Sequence, residues 1–382
     1  PARFGSTAAA MSRVWVLLVG RNVATLAAAV EELSGLKVQV AEGHEDATKH
    51  LRQLCSQLAC VVFEDSRILR EMDGGAYQQV FTIAVNEAFA SEPDMRLACL
   101  DAGARMLAPG VKAVKPALAK VAAVVLDPGD FRCPACGLSH LSENALHLHM
   151  HLHHAVDAVQ EEAPCPICRK VVPILAVHVH NSHGPFEERE PPKAPFATFS
   201  WCVARRRDGR FLLVNEPAGI SGGRPGFWLP AGRVDKGETL QEACIREALE
   251  EAGVRVRITG LLRLMVDSHG TLRAIFLAEP EDCDAEPKCV PDWESVGAMW
   301  VDVKALKKLK DSDYRHPDPA ELYPQVATGR LKPHPVDTDA FRRLEDVVRR
   351  LTLGDETAEP ELAKAWKSVQ SSYPSSVFQR GG

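Results

Sequence analysis

The stretch Gly232–Val254, GRVDKGETLQEACIREALEEAGV, carries five glutamates: Glu238, Glu242, Glu247, Glu250 and Glu251. Thr239 followed at the third position by Glu242 is a capping box, so a helix starts at Leu240. Gly253 supplies a left-handed stop after Ala252. On a helix over 240–252, Glu247, Glu250 and Glu251 stand at i, i+3 and i+4 and share one face. Left alone, such like charges cost roughly a few tenths of a kcal/mol per pair. A hard divalent cation turns that repulsion into binding, because Mg²⁺ takes carboxylate oxygens together with substrate phosphates. Leu240, Ala243 and Cys244 face the core, Arg246 is placed to pair with Glu242 or Glu250, and Glu242 serves the cap.

Outward from that helix, Gly232, Glu238, Arg246, Glu247, Glu250, Glu251 and Gly253 fit the pattern G-x5-E-x7-R-E-U-x-E-E-x-G-U without a gap. Ala248 is a small choice for the first U; Val254 suits the second. The pattern resembles the Nudix box. The likeness extends over about 194–353, through RFLLVNEPAGISGGRPGFWLPAGRVDKGE before the helix and LRAIFLAEP and ESVGAMWVDVKAL after it. It implies an α/β/α sandwich with a mixed sheet, and hydrolysis of a nucleoside diphosphate linked to another moiety. By the same resemblance Glu247, Glu250 and Glu251 ligate Mg²⁺ or Mn²⁺. One of them, or a downstream glutamate, helps deprotonate the attacking water. Arg246 orients Glu247 and Glu250, Glu238 adds ligation or support, and Gly232 permits a tight loop. Glu294 reads as a surface-loop residue rather than as an extra acid of the site.

The version FWLPAGRVDKGET is most similar to the branch that hydrolyses oxidised guanine nucleotides such as 8-oxo-dGDP. Dinucleoside polyphosphates, nucleotide sugars, ADP-ribose and capped RNA stay open as substrates. Phe227 and Trp228 can stack on a base, or can equally be core residues of their strand.

Upstream, FRCPACGLSHLSENALHLHMHLHHA gives Cys133-x2-Cys136-x12-His149-x3-His153. A thiolate pair on a turn and two imidazoles a helical turn apart make a tetrahedral zinc site. The unit resembles a C2H2 zinc finger except at the mid-loop aromatic, where His140 or Leu141 stands. His147, His151 and His154 are surplus, and His154 can replace His153. A second unit, CPICRKVVPILAVHVHNSHG, supplies Cys165 and Cys168 with His178 and His183, His180 competing with His178. Two zinc ions are therefore expected. The first finger helix has no Arg or Lys to read bases, so a protein partner, through the fingers or the N-terminal domain, is preferred over nucleic acid.

Residues 11–127 alternate β-branched runs (14–20, 37–41, 59–65) with helical patterns (22–33, 45–58), which predicts a parallel sheet covered by helices. The order of elements and CLDAGARMLAPGVKAVKPALAKV resemble a two-component receiver, a flavodoxin-like fold. The acids after the first strand are replaced by Gly20, Arg21 and Asn22, and the Lys-Pro after the fifth by Ala108-Pro109, while Asp65 stands at the phospho-acceptor position. A degenerate docking module fits better than phosphorelay.

The expected organisation is thus multidomain α/β. A receiver-like domain spans 11–127, a C2H2-type finger 129–156, a second finger 162–185, a charged Pro-rich linker 186–195, the Nudix-like domain 196–353 and a flexible tail 354–382. Met11 reads as the natural start, and the first ten residues carry no signal-peptide core. An amphipathic helix near 337–351 puts Phe341, Leu344, Val348 and Leu351 on one face.

A net charge of −6 leaves no global basic field for nucleic acid or an anionic membrane. The 11 cysteines, an odd number without a disulfide framework, point to a reducing, cytoplasmic or nuclear, setting. No apolar run approaches the ~18 residues of a membrane span. The class expected is an Mg²⁺-dependent pyrophosphohydrolase with a nucleotide substrate. The competing class is a finger-bearing scaffold whose Nudix-like domain senses nucleotides.

Overall fold

A computed structural model describes residues 13–33, 35–72, 75–155, 162–185, 194–217, 224–267 and 271–380. The expected start at Met11 and most of the 186–195 linker lie outside these residues. The chain divides into two units: residues 1–89, 95–189 and 289–293 form the first, and 90–94, 190–288 and 294–382 the second.

In the first unit β1 (Trp15–Val19), β2 (Lys37–Ala41), β3 (Leu58–Phe63), β4 (Phe81–Val85) and β5 (Met106–Ala108) form a parallel sheet in the order β2-β1-β3-β4-β5. That order is flavodoxin-like. Every residue of β3 and β4 is buried, as parallel strands covered on both faces require. Alternation along β1 sends Val16 and Leu18 into one apolar cluster and Leu17 and Val19 into another. Asp65 follows β3 as expected, but its carboxylate accepts from Arg67 Nε at 2.7 Å and from the Arg67 backbone N–H at 3.0 Å.

Helix α1 (Val114–Val125) packs on the helix of the first Cys/His segment, which packs in turn on the helix of the second; both segments join the same apolar cluster as the sheet through Leu141, Leu146, Met150, Leu175 and Val179. The first segment is the hairpin β6 (Pro128–Arg132)–β7 (Ser139–Leu141) and α2 (Glu143–His154). The Ser142 hydroxyl caps α2 by accepting from Ala145 N. The second is β8 (Ala163–Pro164)–β9 (Val171–Val172) and α3 (Leu175–His183).

The second unit has a mixed sheet and an antiparallel sheet. In the mixed sheet β13 (Ala231–Arg233), β10 (Thr198–Ala204), β15 (Leu272–Pro280), β14 (Val256–Val266) and β17 (Phe378–Arg380) are neighbours in that order. The antiparallel sheet is β12 (Gly226–Trp228), β11 (Phe211–Glu216) and β16 (Gly297–Val301). Leu212 and Val214 of β11 join the core cluster of helix α4 (Leu240–Ala252), while Phe211 stacks on Tyr323 of α5 (Asp318–Ala327) at 4.6 Å. Helices therefore cover both faces of β11. Helix α6 (Asp339–Thr352) buries Phe341, Leu344, Val348 and Leu351, the face its sequence predicts.

The tail expectation fails over its described residues, 354–380: Glu359–Ser372 is a helix, α7, which buries Ala365 and Val369 in the same core, and Phe378–Arg380 pairs with β14 as β17. Its Ser, Pro and Glu content hid an apolar stripe (Leu362, Ala365, Trp366, Val369) at helical spacing.

Candidate active site

The acidic helix forms as its sequence dictates. Thr239 Oγ1 accepts from Glu242 N at 3.1 Å, and Glu242 Oε2 accepts from Thr239 N at 2.8 Å. Gly253 ends the helix in the left-handed region at φ 68°. Two further contacts fix α4 in place. Glu345 of α6 accepts from the Gln241 backbone and side chain at 3.0 and 2.7 Å, and Ser295 Oγ donates to Glu251 O at 2.6 Å.

Arg246 organises the acids. Its Nε donates to Glu238 Oε1 at 2.8 Å, and its Nη1 reaches Glu250 Oε2 at 2.7 Å and Glu247 Oε1 at 2.9 Å. Its Nη2 donates to Arg233 O at 2.8 Å. Burial alone would lower the Arg246 pKa, but Glu247, Glu238 and Glu250 together raise it. The guanidinium is a fixed cation.

The three glutamates of the shared face differ in environment. Glu247 and Glu251 are buried, whereas the Glu250 side chain is 40% exposed. Burial pushes Glu247 up to about 8, against the pull of Arg246 and with the push of Glu294 and Glu250. Burial likewise pushes Glu251 well above its ordinary value, helped by Glu216, Glu247 and Glu294, while Ala231 N donates to its Oε2 at 3.0 Å.

Gly232 does not serve the tight loop expected of it; it lies in β13 opposite Ser200. A Cβ there would collide with Glu247 Oε1. Its missing side chain is the space the Glu247 carboxylate occupies.

Two acids of the cluster were not assigned from the sequence. Glu216 closes the apolar strand β11, and burial pushes it up to about 7 although Arg315 Nη1 lies 3.1 Å away. Its Oε1 is buried with no hydrogen-bond partner among the described residues. Glu294, read as a surface residue, is half-buried and close enough to raise both Glu247 and Glu251. The one signal for Glu216 was a charged residue ending a run as apolar as FLLV.

Phe227 cannot stack on a base: it is fully buried in β12. Trp228 is half-buried, its Nε1 donating to Asp318 Oδ2 at 2.8 Å, with the Arg315 guanidinium 5.7 Å from its ring centre.

In the first unit Cys133, Cys136, His149 and His154 bring one donor atom each within 4.8 Å of one another. Cys136 Sγ lies 3.3 Å from His149 Nε2 and Cys133 Sγ 3.4 Å from His154 Nε2. His154, not His153, completes the set. The His153 ring instead packs edge-on against Phe81 of β4, at 5.3 Å, so the sheet takes the i+4 position and the last residue of α2 takes the cluster. Cys165, Cys168, His178 and His183 form a second set. Cys168 Sγ is 3.2 Å from His178 Nε2, and Glu143 holds His183 Nδ1 at 3.2 Å. His180, two residues past His178 and so on the opposite side of α3, does not join it. Both donor sets can hold zinc.

Comparison with known proteins agrees with this geometry. The NUDIX domain family matches residues 197–325. "Putative nudix hydrolase 1" of Caenorhabditis elegans is 38% identical over 103 residues, 27% of this chain and 27% of its own length. "8-oxo-dGDP phosphatase NUDT18" of Danio rerio is 35% identical over 102 residues, 27% of this chain and 31% of its own. The chain thus spans under a third of the length of these two relatives. "Phosphatase NudJ" of Shigella boydii is 32% identical over 138 residues, 35% of this chain and 84% of its own length. With the box intact on its capped helix and a short relative matched over most of its length, the chain belongs to the Nudix hydrolase family.

Proposed function

We propose that the second unit is a divalent-cation-dependent pyrophosphohydrolase acting on a nucleoside diphosphate derivative, with oxidised guanine nucleotides as the first substrates to test. The observation that carries this is the convergence of Glu216, Glu247, Glu251 and Glu294. Burial raises the first three, repulsion by neighbouring acids adds to it for Glu247 and Glu251, and Glu216 Oε1 has no partner among the described residues. An all-carboxylate donor set with an unsatisfied buried oxygen fits a hard cation. Glu247, Glu250 and Glu251 would hold Mg²⁺ or Mn²⁺, with Glu216 and Glu294 beside them. The bound ion would supply charge neutralisation on phosphate oxygens.

The protein's own groups do the rest. Arg246 fixes Glu247 and Glu250 in one orientation. A water oxygen bonds to phosphorus as the P–O anhydride bond breaks, and the leaving phosphate takes the electron pair. The water's proton passes to a half-exposed glutamate, for which Glu250 and Glu294 are placed better than the buried pair. Trp228 is the aromatic surface available to a base. The 8-oxo-dGDP preference draws support from the name of the Danio rerio relative.

The Cys/His sets are proposed zinc sites. Helix α2 is buried beyond its first turn, so it cannot lie in a major groove; a protein partner remains the preferred role. The deciding assay is release of phosphate or nucleoside monophosphate from a nucleotide panel with Mg²⁺ or Mn²⁺. Absence of turnover on every substrate, or turnover undiminished in E250Q/E251Q, refutes the reading.

A further inference from the structure

Apart from His153, which packs on Phe81, three histidines of these helices belong to neither Cys/His set: His147 and His151 on α2 and His180 on α3. We propose that they form a third metal site, an all-imidazole site for a divalent transition metal of the zinc type. The proposal is independent of the nucleotide site.

His147 and His151 are one helical turn apart and project from the same side of α2. His180 faces them because it points away from the side of α3 that carries His178. One donor nitrogen from each lies within 4.8 Å of the others. All three residues are buried, at 1%, 6% and 2% exposure.

Hydrogen bonding alone does not account for the arrangement. His147 Nε2 lies 3.0 Å from His151 Nε2 and 3.1 Å from His180 Nδ1. A ring nitrogen of a neutral imidazole has either one hydrogen or one lone pair in its plane, so it can satisfy only one of these two contacts. A metal ion satisfies all three lone pairs at once. The donors of a tetrahedral zinc with Zn–N of ~2.0–2.1 Å are roughly 3.3 Å apart, close to the spacing seen.

The surroundings are shaped to match. Gly184 ends α3 where a Cβ would come within 2.8 Å of His147 Nε2; a bare backbone keeps the ligand atom clear. Trp293, which clusters with the first unit, stacks on the His180 ring at 4.0 Å and 4° between planes, fixing its orientation. Three neutral ligands leave the ion's charge uncompensated, so the fourth position takes hydroxide or a halide from solvent. The site joins α2 to α3, and hence one Cys/His segment to the other.

The test uses the full chain, prepared with zinc and dialysed without a strong chelator. Metal content by mass spectrometry is expected to fall by one equivalent in H180Q and in H147Q/H151Q relative to wild type. In C136S it falls by a different equivalent, so C136S/H180Q loses two. An unchanged zinc count in folded H180Q overturns the proposal. Zinc-edge X-ray absorption of the wild type decides the matter should the variants not fold. Four thiolates shared among three ions average about 1.3 sulfurs per zinc, against 2 with the Cys₂His₂ sites alone. An average below 2 supports the third site, and an average of 2 overturns it.

Discussion

Freed of divalent cation, the second unit should lose stability as pH rises from about 5 to about 8. Glu216 is raised in the fold from 4.5 to about 7 and Glu247 from 4.5 to about 8. A raised carboxyl means that the folded state holds a proton which the unfolded chain has released. Stability is therefore fully present below the unfolded pKa and drains away as pH climbs through the folded one. At about 1.36 kcal/mol per pKa unit, either group taken alone contributes on the order of 3–5 kcal/mol. The two repel the same neighbours, so the contributions do not add. For a unit of this size each kcal/mol moves the melting temperature by roughly 2–4 °C, which predicts a fall of about 10 °C. Mg²⁺ at a hundredfold its dissociation constant returns about 2.7 kcal/mol. It should return more at pH 8 than at pH 5, because it competes with those protons. The assay is thermal unfolding in Mg²⁺-free buffer with zinc retained, followed by tryptophan fluorescence; Trp201, Trp228, Trp300 and Trp366, four of the six tryptophans, lie in the second unit. E216Q/E247Q should flatten the slope. A melting temperature that is flat or rising from pH 5 to 8, or an Mg²⁺ shift equal at both ends, refutes the account of the acidic cluster.

Other outcomes follow from contacts already described. G232A pushes a methyl into the Glu247 carboxylate and should lower kcat/KM at least tenfold while the far-ultraviolet dichroism is kept; unaltered steady-state kinetics would contradict the notch. R246K retains the charge but loses the fork to Glu238, Glu247 and Glu250, and should lower kcat about 10–100-fold with a smaller change in KM. A365D or V369D places a carboxylate in the core and should destabilise the second unit by about 3 kcal/mol or more, read by denaturant unfolding; a flexible tail would show no change.

The acidic helix was legible because its instructions are local. A capping box, a left-handed stop and an i, i+3, i+4 set of acids need no knowledge of the rest of the chain, and all of them lie within a single helix and its caps. Glu216 and Glu294 were not legible, because they reach the site through strand pairing that no short-range pattern encodes. The choice of His154 over His153 turned on Phe81, more than seventy residues away in sequence, which claims the i+4 ring. Phe227 and Trp228 are adjacent in one strand and alternate sides, so one is core and the other half-open; periodicity foretold that they would differ but not which would be which. In 354–380 a composition rich in Ser, Pro and Glu outweighs an apolar stripe only four residues strong, so the helix is hidden from a reading by composition.

That last segment carries a further meaning. Strand β14 would be an edge of the mixed sheet at Leu264–Val266 were β17 not laid along it. An open edge presents a row of unsatisfied N–H and C=O groups that any extended chain can join. The three residues of β17 therefore act as a guard against self-association. Displaced, they would turn the same edge into a docking rail for a foreign strand, read by main-chain hydrogen bonds rather than by side-chain identity.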